Sequence, residues 1–202
     1  SIGLSSTGMR DRLPVEPGTP LIERLHLYTS YGWALVPLLP AYSEMEAGDR
    51  PGKSPFMDLL RDIYGDTRTD HLKKAPAFPE EIVYWFENDP DANLGVFPSA
   101  SPGLVVVDID ELEILNPDLV TPTASSGRDG GGKHLYFECR DDIARQKFDW
   151  GDLNPEYAVL PGSVHETGLR YEWLPGLSPE EVPFMPFEDA LTALGLVEEA
   201  DE

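Results

Sequence analysis

Leu104-Val105-Val106-Val107-Asp108-Ile109-Asp110 decides the reading of this chain. Four apolar residues in succession, three of them β-branched, describe a strand covered on both faces. Its end carries carboxylates spaced i and i+2. Side chains alternate along a strand, so Asp108 and Asp110 share one face and Ile109 takes the other. Neighbouring aspartates repel, and burying them unpartnered is costly. Two outcomes relieve that conflict: a solvated acidic turn, or a divalent cation held between the carboxylates. Hard oxygen ligands suit Mg²⁺ or Mn²⁺ better than Zn²⁺.

The flanking segments extend the pattern. Asn93-Leu94-Gly95-Val96-Phe97 reads as a short strand, and residues 98–103 as a tight turn, so a hairpin with the acidic strand is expected. Downstream, residues 121–133 contain four glycines and cannot pack a core. They form either a flexible hairpin loop or a loop whose backbone N–H groups approach an anion, with Ser125, Ser126, Arg128 and Lys133 as further donors. The pattern GxxxxGK[ST] is absent, so this is not a Walker A loop. His134-Leu135-Tyr136-Phe137-Glu138 then reads as a strand, which puts His134 at the loop–strand junction in either a structural or a functional role. Phe148-Asp149-Trp150-Gly151-Asp152 offers another carboxylate between apolar residues. Residues 157–160 and 169–174 read as strands joined through the turn Pro161-Gly162-Ser163-Val164-His165.

Upstream, residues 1–8 read as a leftover tag or disordered start, and 11–18 as an extended lead-in. Thr19-Pro20 suits an N-cap and N1 pair, and Leu21, Ile22, Leu25 and Tyr28 recur at helical spacing, so a helix is expected to about Tyr31. Residues 33–39 form an apolar strand in which Pro37 favours an edge or a bulge. In the loop 41–54, Gly52-Lys53-Ser54-Pro55 presents Lys53 either to solvent or towards an anion. A short helix is expected over 55–64, an irregular basic stretch over 71–77 and a helix over 79–87 with Ile82, Val83 and Phe86 inward. A short helix or turn is expected over 111–119 and a polar, helical link over 141–147. Residues 175–186 read as a proline-rich surface strap, 187–197 as an amphipathic helix and 198–202 as an acidic tail.

The 202 residues carry 15 Lys+Arg against 37 Asp+Glu, a net charge of −22, which argues against broad adhesion to phosphate backbones while leaving room for a local basic groove. One cysteine, Cys139, rules out an internal disulfide and a multi-cysteine zinc site, so no zinc is expected. It also favours an intracellular, cytoplasmic setting. No run approaches the apolar length of a membrane span, and no membrane partner is expected.

The order of these motifs resembles the bifunctional primase–polymerase (prim-pol) domain of the archaeo-eukaryotic primase superfamily, found at the N-terminus of phage and plasmid replication proteins. Gly32-Trp33 through Pro37 is similar to the family's opening "GW…VPL" strand, and Gly52-Lys53-Ser54-Pro55 to its "GKxP". Asn93-Leu94-Gly95-Val96 is similar to "NxGV", and Val107-Asp108-Ile109-Asp110 to the first metal motif. Residues 130–137 resemble "GGxHxYF". Pro161-Gly162-Ser163-Val164-His165, with Gly168 and Tyr171, resembles "PPSxHxxGxxY". Two departures stand out: Gly132 where many relatives have serine, and Pro-Gly-Ser in place of Pro-Pro-Ser.

The resemblance implies a catalytic domain of two lobes over 19–197, with an α+β fold: a mixed-sheet N-terminal lobe packed on an RRM-like sheet lobe, the active site in the cleft. It implies template-directed nucleotidyl transfer by a DNA primase/polymerase using two Mg²⁺ or Mn²⁺ ions. The metal carboxylates fall on Asp108, Asp110 and Asp149, with Asp152 the rival for the third. His134, Arg128 and Lys53 would bind the triphosphate, Ser126 and Gly127 would add loop donors, and Ser163 and His165 would line the nucleotide site. The implied partners are a single-stranded DNA template, NTP or dNTP, and a helicase domain or replisome proteins. Lys73, Lys74, Arg145 and Lys147 are candidates for the template groove. The alternatives are a catalytically inactive nucleic-acid or replisome binding module, and a metal-dependent nuclease.

Overall fold

The computed structural model describes residues 21–42, 48–110, 116–126 and 131–197. After a 3₁₀ turn at Leu21–Arg24 come α1 (Leu25–Ser30), β1 (Leu35–Leu38), α2 (Met57–Tyr64), α3 (Arg68–Lys74) and α4 (Pro79–Asn88). Next are β2 (Asn93–Val96), β3 (Leu104–Ile109), β4 (Thr123–Ser125), β5 (Lys133–Glu138), β6 (Gln146–Phe148) and β7 (Gly151–Leu153). β8 (Ala158–Val159), β9 (Glu172–Trp173), β10 (Met185–Pro186) and α5 (Phe187–Ala190) complete the order. The architecture is α+β with two sheets. The smaller runs β1-β2-β8; the larger runs β6-β7-β3-β5-β4-β9, with β10 parallel beside β5. No helix among the described residues is long and apolar enough to cross a membrane.

β3 is buried on both faces, as its composition requires. Leu104 and Val106 pack into a core that also holds Leu35 and Val96 of the smaller sheet. Val105, Val107 and Ile109 turn to a second core, closed by Phe187, Ala190 and Leu194. Asp108 therefore shares the face that looks towards the smaller sheet. An aromatic column joins the two sheets through the first core: Trp33 stacks on Tyr28 at 5.8 Å and on Tyr136 at 5.6 Å. Arg24, fully buried, donates to both Glu172 carboxylate oxygens at 2.9 and 3.2 Å, and the Tyr28 hydroxyl donates to Pro161 O at 2.7 Å. These bonds bind the first helical segment to the 161–173 region.

Several local expectations give way to tertiary pairing. β2 and β3 do not form a hairpin. β2 spends its two edges on β1 and β8, and the 3₁₀ turn Pro98–Ala100 carries the chain into the other sheet. Of residues 71–77, expected to be irregular, 71–74 belong to α3, because Leu72 is a fully buried anchor. The expected helical link at 141–147 is instead extended from Gln146, where β6 pairs with β7. The C-terminal helix is only Phe187–Ala190, followed by turns. Pro37 does lie on an edge strand, where its missing N–H costs no ladder bond. The lead-in, residues 111–115 and the acidic tail lie outside the described residues.

At one position the approach of strands excludes any side chain. Gly151 has φ +151°, and a Cβ there would stand 1.8 Å from Asp108 O. Gly151→Ala is expected to cost at least about 3 kcal/mol, since β7 must retreat from β3. The urea midpoint checks this, and an unchanged midpoint would contradict the tight β3–β7 seam.

Candidate active site

The register of the larger sheet builds the site. Asp108 on β3 stands opposite His134 on β5 and, on its other side, opposite Asp152 on β7. Asp152 in turn stands opposite Lys147 on β6. Directly opposed residues of antiparallel strands point to one face with Cβ atoms about 4.5–5.5 Å apart. The result is a row across the sheet: Lys147, Asp152, Asp108, His134. His134 Nε2 lies 3.5 Å from Asp108 Oδ1. Asp110 follows the strand end, its N–H donating to Trp150 O at 2.8 Å.

Asp108, Asp110, Asp152 and His134 line one cavity of about 450 Å³. Arg50 and Lys53, from the loop that packs on the smaller sheet, line it too, as do Glu156, Tyr157, Ala158 and Val159. Arg145, Ser126, His165 and Tyr171 complete the principal polar and aromatic lining. The Tyr171 ring bridges two imidazoles, 6.3 Å from His134 and 5.7 Å from His165. Thr167 N–H donates to His165 Nδ1 at 3.1 Å, which leaves the proton of a neutral ring on Nε2. Burial pushes the Tyr157 phenol above its ordinary pKa against the opposing pull of Arg50, so it remains a neutral O–H. Burial likewise drives Tyr136 well up, with Tyr28 and the Asp108 carboxylate adding to the effect.

Most expected residues converge here, and some do not. Asp108, Asp110, His134, Lys53, Ser126 and His165 all line the cavity. Asp149 does not: it is exposed in the two-residue turn that Phe148 and Gly151 close. Asp152, three residues on, is the acid in the row. Ser163 is fully buried away from the lining, its hydroxyl accepting from Leu94 N at 3.0 Å and lying 3.2 Å from Leu94 O. Gly127 and Arg128 lie outside the described residues. Lys73 is engaged by Glu156 at 3.0 Å and sits 5.0 Å over the Phe97 ring. Arg50, Tyr157 and Tyr171 had no assigned role in the sequence reading. Arg50 was within reach of it, being three residues before Lys53 in a turn that Lys53 N closes onto Arg50 O at 3.1 Å.

The donor set fits a hard divalent cation in kind. Two carboxylates oppose each other on one row, a third lines the same cavity, and Asp152 Oδ1 is buried without a hydrogen-bond partner. Such an orphaned oxygen is costly unless a cation or donor satisfies it. Among the described residues, no group of three or more His, Cys, Asp or Glu side chains is already arranged to hold a metal ion. His134 Nδ1 and Ser126 Oγ are also buried without partners, so the cavity presents both donors and acceptors to a ligand.

The family model described as "Prim-Pol: Bifunctional DNA primase/polymerase, N-terminal" matches residues 25–185. No curated protein matches the chain.

The register yields a direct comparison of the rival acids. Asp108→Asn and Asp152→Asn should each weaken Mn²⁺ binding roughly tenfold or more, since loss of a partner that merely supports a ligand already costs about tenfold. Asp149→Asn should leave it within about twofold, because an exposed turn acid is screened. Mn²⁺ titration by electron paramagnetic resonance checks both. An Asp149 effect larger than that of Asp152 would reverse the assignment.

Proposed function

The chain belongs to the bifunctional DNA primase/polymerase N-terminal family, and from that premise we propose that its cleft carries out template-directed nucleotidyl transfer. Membership implies DNA primase and polymerase function in general. The observation that carries the finer reading is one cavity lined by both carboxylates and cationic side chains. Asp108 and Asp152 line it from the larger sheet with Asp110 just past the end of β3, and Arg50, Lys53 and Arg145 line the same space beside Glu156. A nucleoside triphosphate is the kind of ligand such a cavity takes: an anionic tail for the cations, and reacting oxygens for the acidic side.

In this reading the 3′-hydroxyl oxygen of a primer or first nucleotide attacks the α-phosphorus, and the bond to pyrophosphate breaks. Asp108 and Asp152, with Asp110, would hold Mg²⁺ or Mn²⁺, which neutralises charge on the attacking and leaving oxygens when bound. Lys53 and Arg50 hold the triphosphate tail, joined by His134, which the Asp108 carboxylate orients through Nε2. Ser126 adds a hydroxyl, and Tyr157 a neutral donor. His165 and Tyr171 shape the nucleotide's remaining wall. These few cations act at short range in a partly enclosed space, where they outweigh the distant charges that make the chain −22 overall. A single-stranded template passes Arg145 and Lys147 at the cavity's edge. NTP or dNTP substrates, a helicase or replisome partner, and a phage or plasmid origin belong to the same reading.

The test is Mn²⁺-dependent primer synthesis and primer extension on single-stranded DNA. Asp108→Ala/Asp110→Ala should lower product by roughly a hundredfold or more, since it removes charge stabilisation at the reacting centre. Equal product from wild type and variant would remove the assignment. DNA cleavage in the absence of triphosphates would point to a nuclease instead.

A further inference from the structure

We propose that Asn93 is a positioning residue: its buried amide latches the Lys53 loop to the His165 turn, so that both side chains face the cavity at one fixed spacing. Asn93 is the first residue of β2 and only 2% exposed. Its Nδ2 donates to Gly52 O at 3.0 Å and to Val164 O at 2.8 Å. Its Oδ1 accepts from Val164 N at 2.9 Å. The two carbonyls on one side and the N–H on the other dictate the amide's orientation, and both amide hydrogens are spent. The joined segments lie 41 residues before and 71 residues after Asn93 in the chain.

Each latched residue immediately precedes a residue of the cavity wall: Gly52 precedes Lys53, and Val164 precedes His165. The three segments meet so closely that a side chain at Gly52 would crowd both partners. A Cβ there would lie 3.0 Å from Asn93 Nδ2 and 3.1 Å from Val164 O, at φ +70°. Ser163 adds a second clamp through its bonds to the Leu94 backbone. Lys53 and His165 lie outside the named strands, each in a turn closed by its own backbone bond, Lys53 N to Arg50 O at 3.1 Å and His165 N to Leu169 O at 2.7 Å, and the Asn93 amide ties the two turns to each other. One amide on the rigid sheet adds a restraint common to both, which lowers the ordering cost when a triphosphate binds. The consequence for substrate rests on the triphosphate reading above; the mechanical coupling does not.

Asn93→Asp in the full chain separates the two. The aspartate keeps the acceptor for Val164 N but, when ionised, sets a carboxylate oxygen against two carbonyl oxygens. On taking a proton it regains one donor. Hydrogen exchange read by mass spectrometry should show residues 50–56 and 162–168 both opening about tenfold faster than wild type at pH 8, and both returning towards the wild-type rate at pH 6, each ratio taken at matched pH. The Kd for a nucleoside triphosphate with Ca²⁺ should rise about tenfold at pH 8 and recover in the same sense. Mn²⁺ binding without nucleotide should stay within about twofold, because the acids lie on the other sheet. Asn93→Ser, with a shorter neutral hydroxyl, should loosen both segments equally at both pH values, and serves if the aspartate variant does not fold at pH 8. Loosening of one segment alone, or a ratio for Asn93→Asp that ignores pH, overturns the latch. An unchanged triphosphate Kd with both segments loosened overturns its role in binding. Should the wild type bind no triphosphate, the nucleotide reading falls and the exchange measurement still decides the latch.

Discussion

Asp108 and Asp152 are held opposite each other on adjacent antiparallel strands, and the surroundings answer their mutual repulsion. Two unit charges near 5 Å apart repel by about 3 kcal/mol at an effective dielectric of about 20. The sheet holds them in place through ordinary means: buried valines on either side of β3, backbone pairing to β5 and β7, and a glycine where β7 comes closest. The imidazole of His134 beside Asp108 and the ammonium of Lys147 opposite Asp152 bracket the pair. A row so composed keeps a standing demand for positive charge at its centre, and Asp152 carries a buried oxygen with no partner to meet it.

The division of labour between the sheets follows from that row. The larger sheet presents acids because β3, at its centre, is held on both faces by apolar cores and can sustain unfavourable neighbours. The smaller sheet presents no acid to the cavity; its contribution is to anchor loops. β1 and β2 fix the Lys53 loop through backbone bonds such as Leu39 N to Ser54 O, and through the Asn93 amide. Carboxylates on rigid strands therefore share one space with the cations of a braced loop. That arrangement lets a strongly acidic protein accept an anionic substrate: what matters is the charge within a few ångströms, not the total.

Much of this was legible in the residues. The β-branched run before Asp108 announced a strand covered on both faces, and i, i+2 spacing placed Asp110 with Asp108. The helical spacing of Ile82 and Phe86 announced α4, although Trp85, the most deeply buried of that helix's large side chains, was not singled out. Pro37 marked an edge strand. What failed were inferences about partners. β2 and β3 are consecutive and joined by a tight turn, yet they enter different sheets. Residues 71–77 read as irregular, yet Leu72 anchors a helix that runs to Lys74. Ser163 reads as a ligand-facing hydroxyl in its motif, yet its bonds go to Leu94.

The two acids Asp149 and Asp152 show where the boundary lies. They are three residues apart, so along one strand they would face opposite ways, and no local signal chooses between them. The choice comes from a hairpin in which Phe148 pairs with Gly151, leaving Asp149 in the turn, and from the pairing of β7 with β3. Local sequence by itself settled the strand at β3, the helix at α4 and which of their side chains share a face, because those depend on the chain's own periodicity. Which strand lies beside which, in what register, and hence which acid meets Asp108, was decided only by hydrogen bonding and burial between segments remote in the chain.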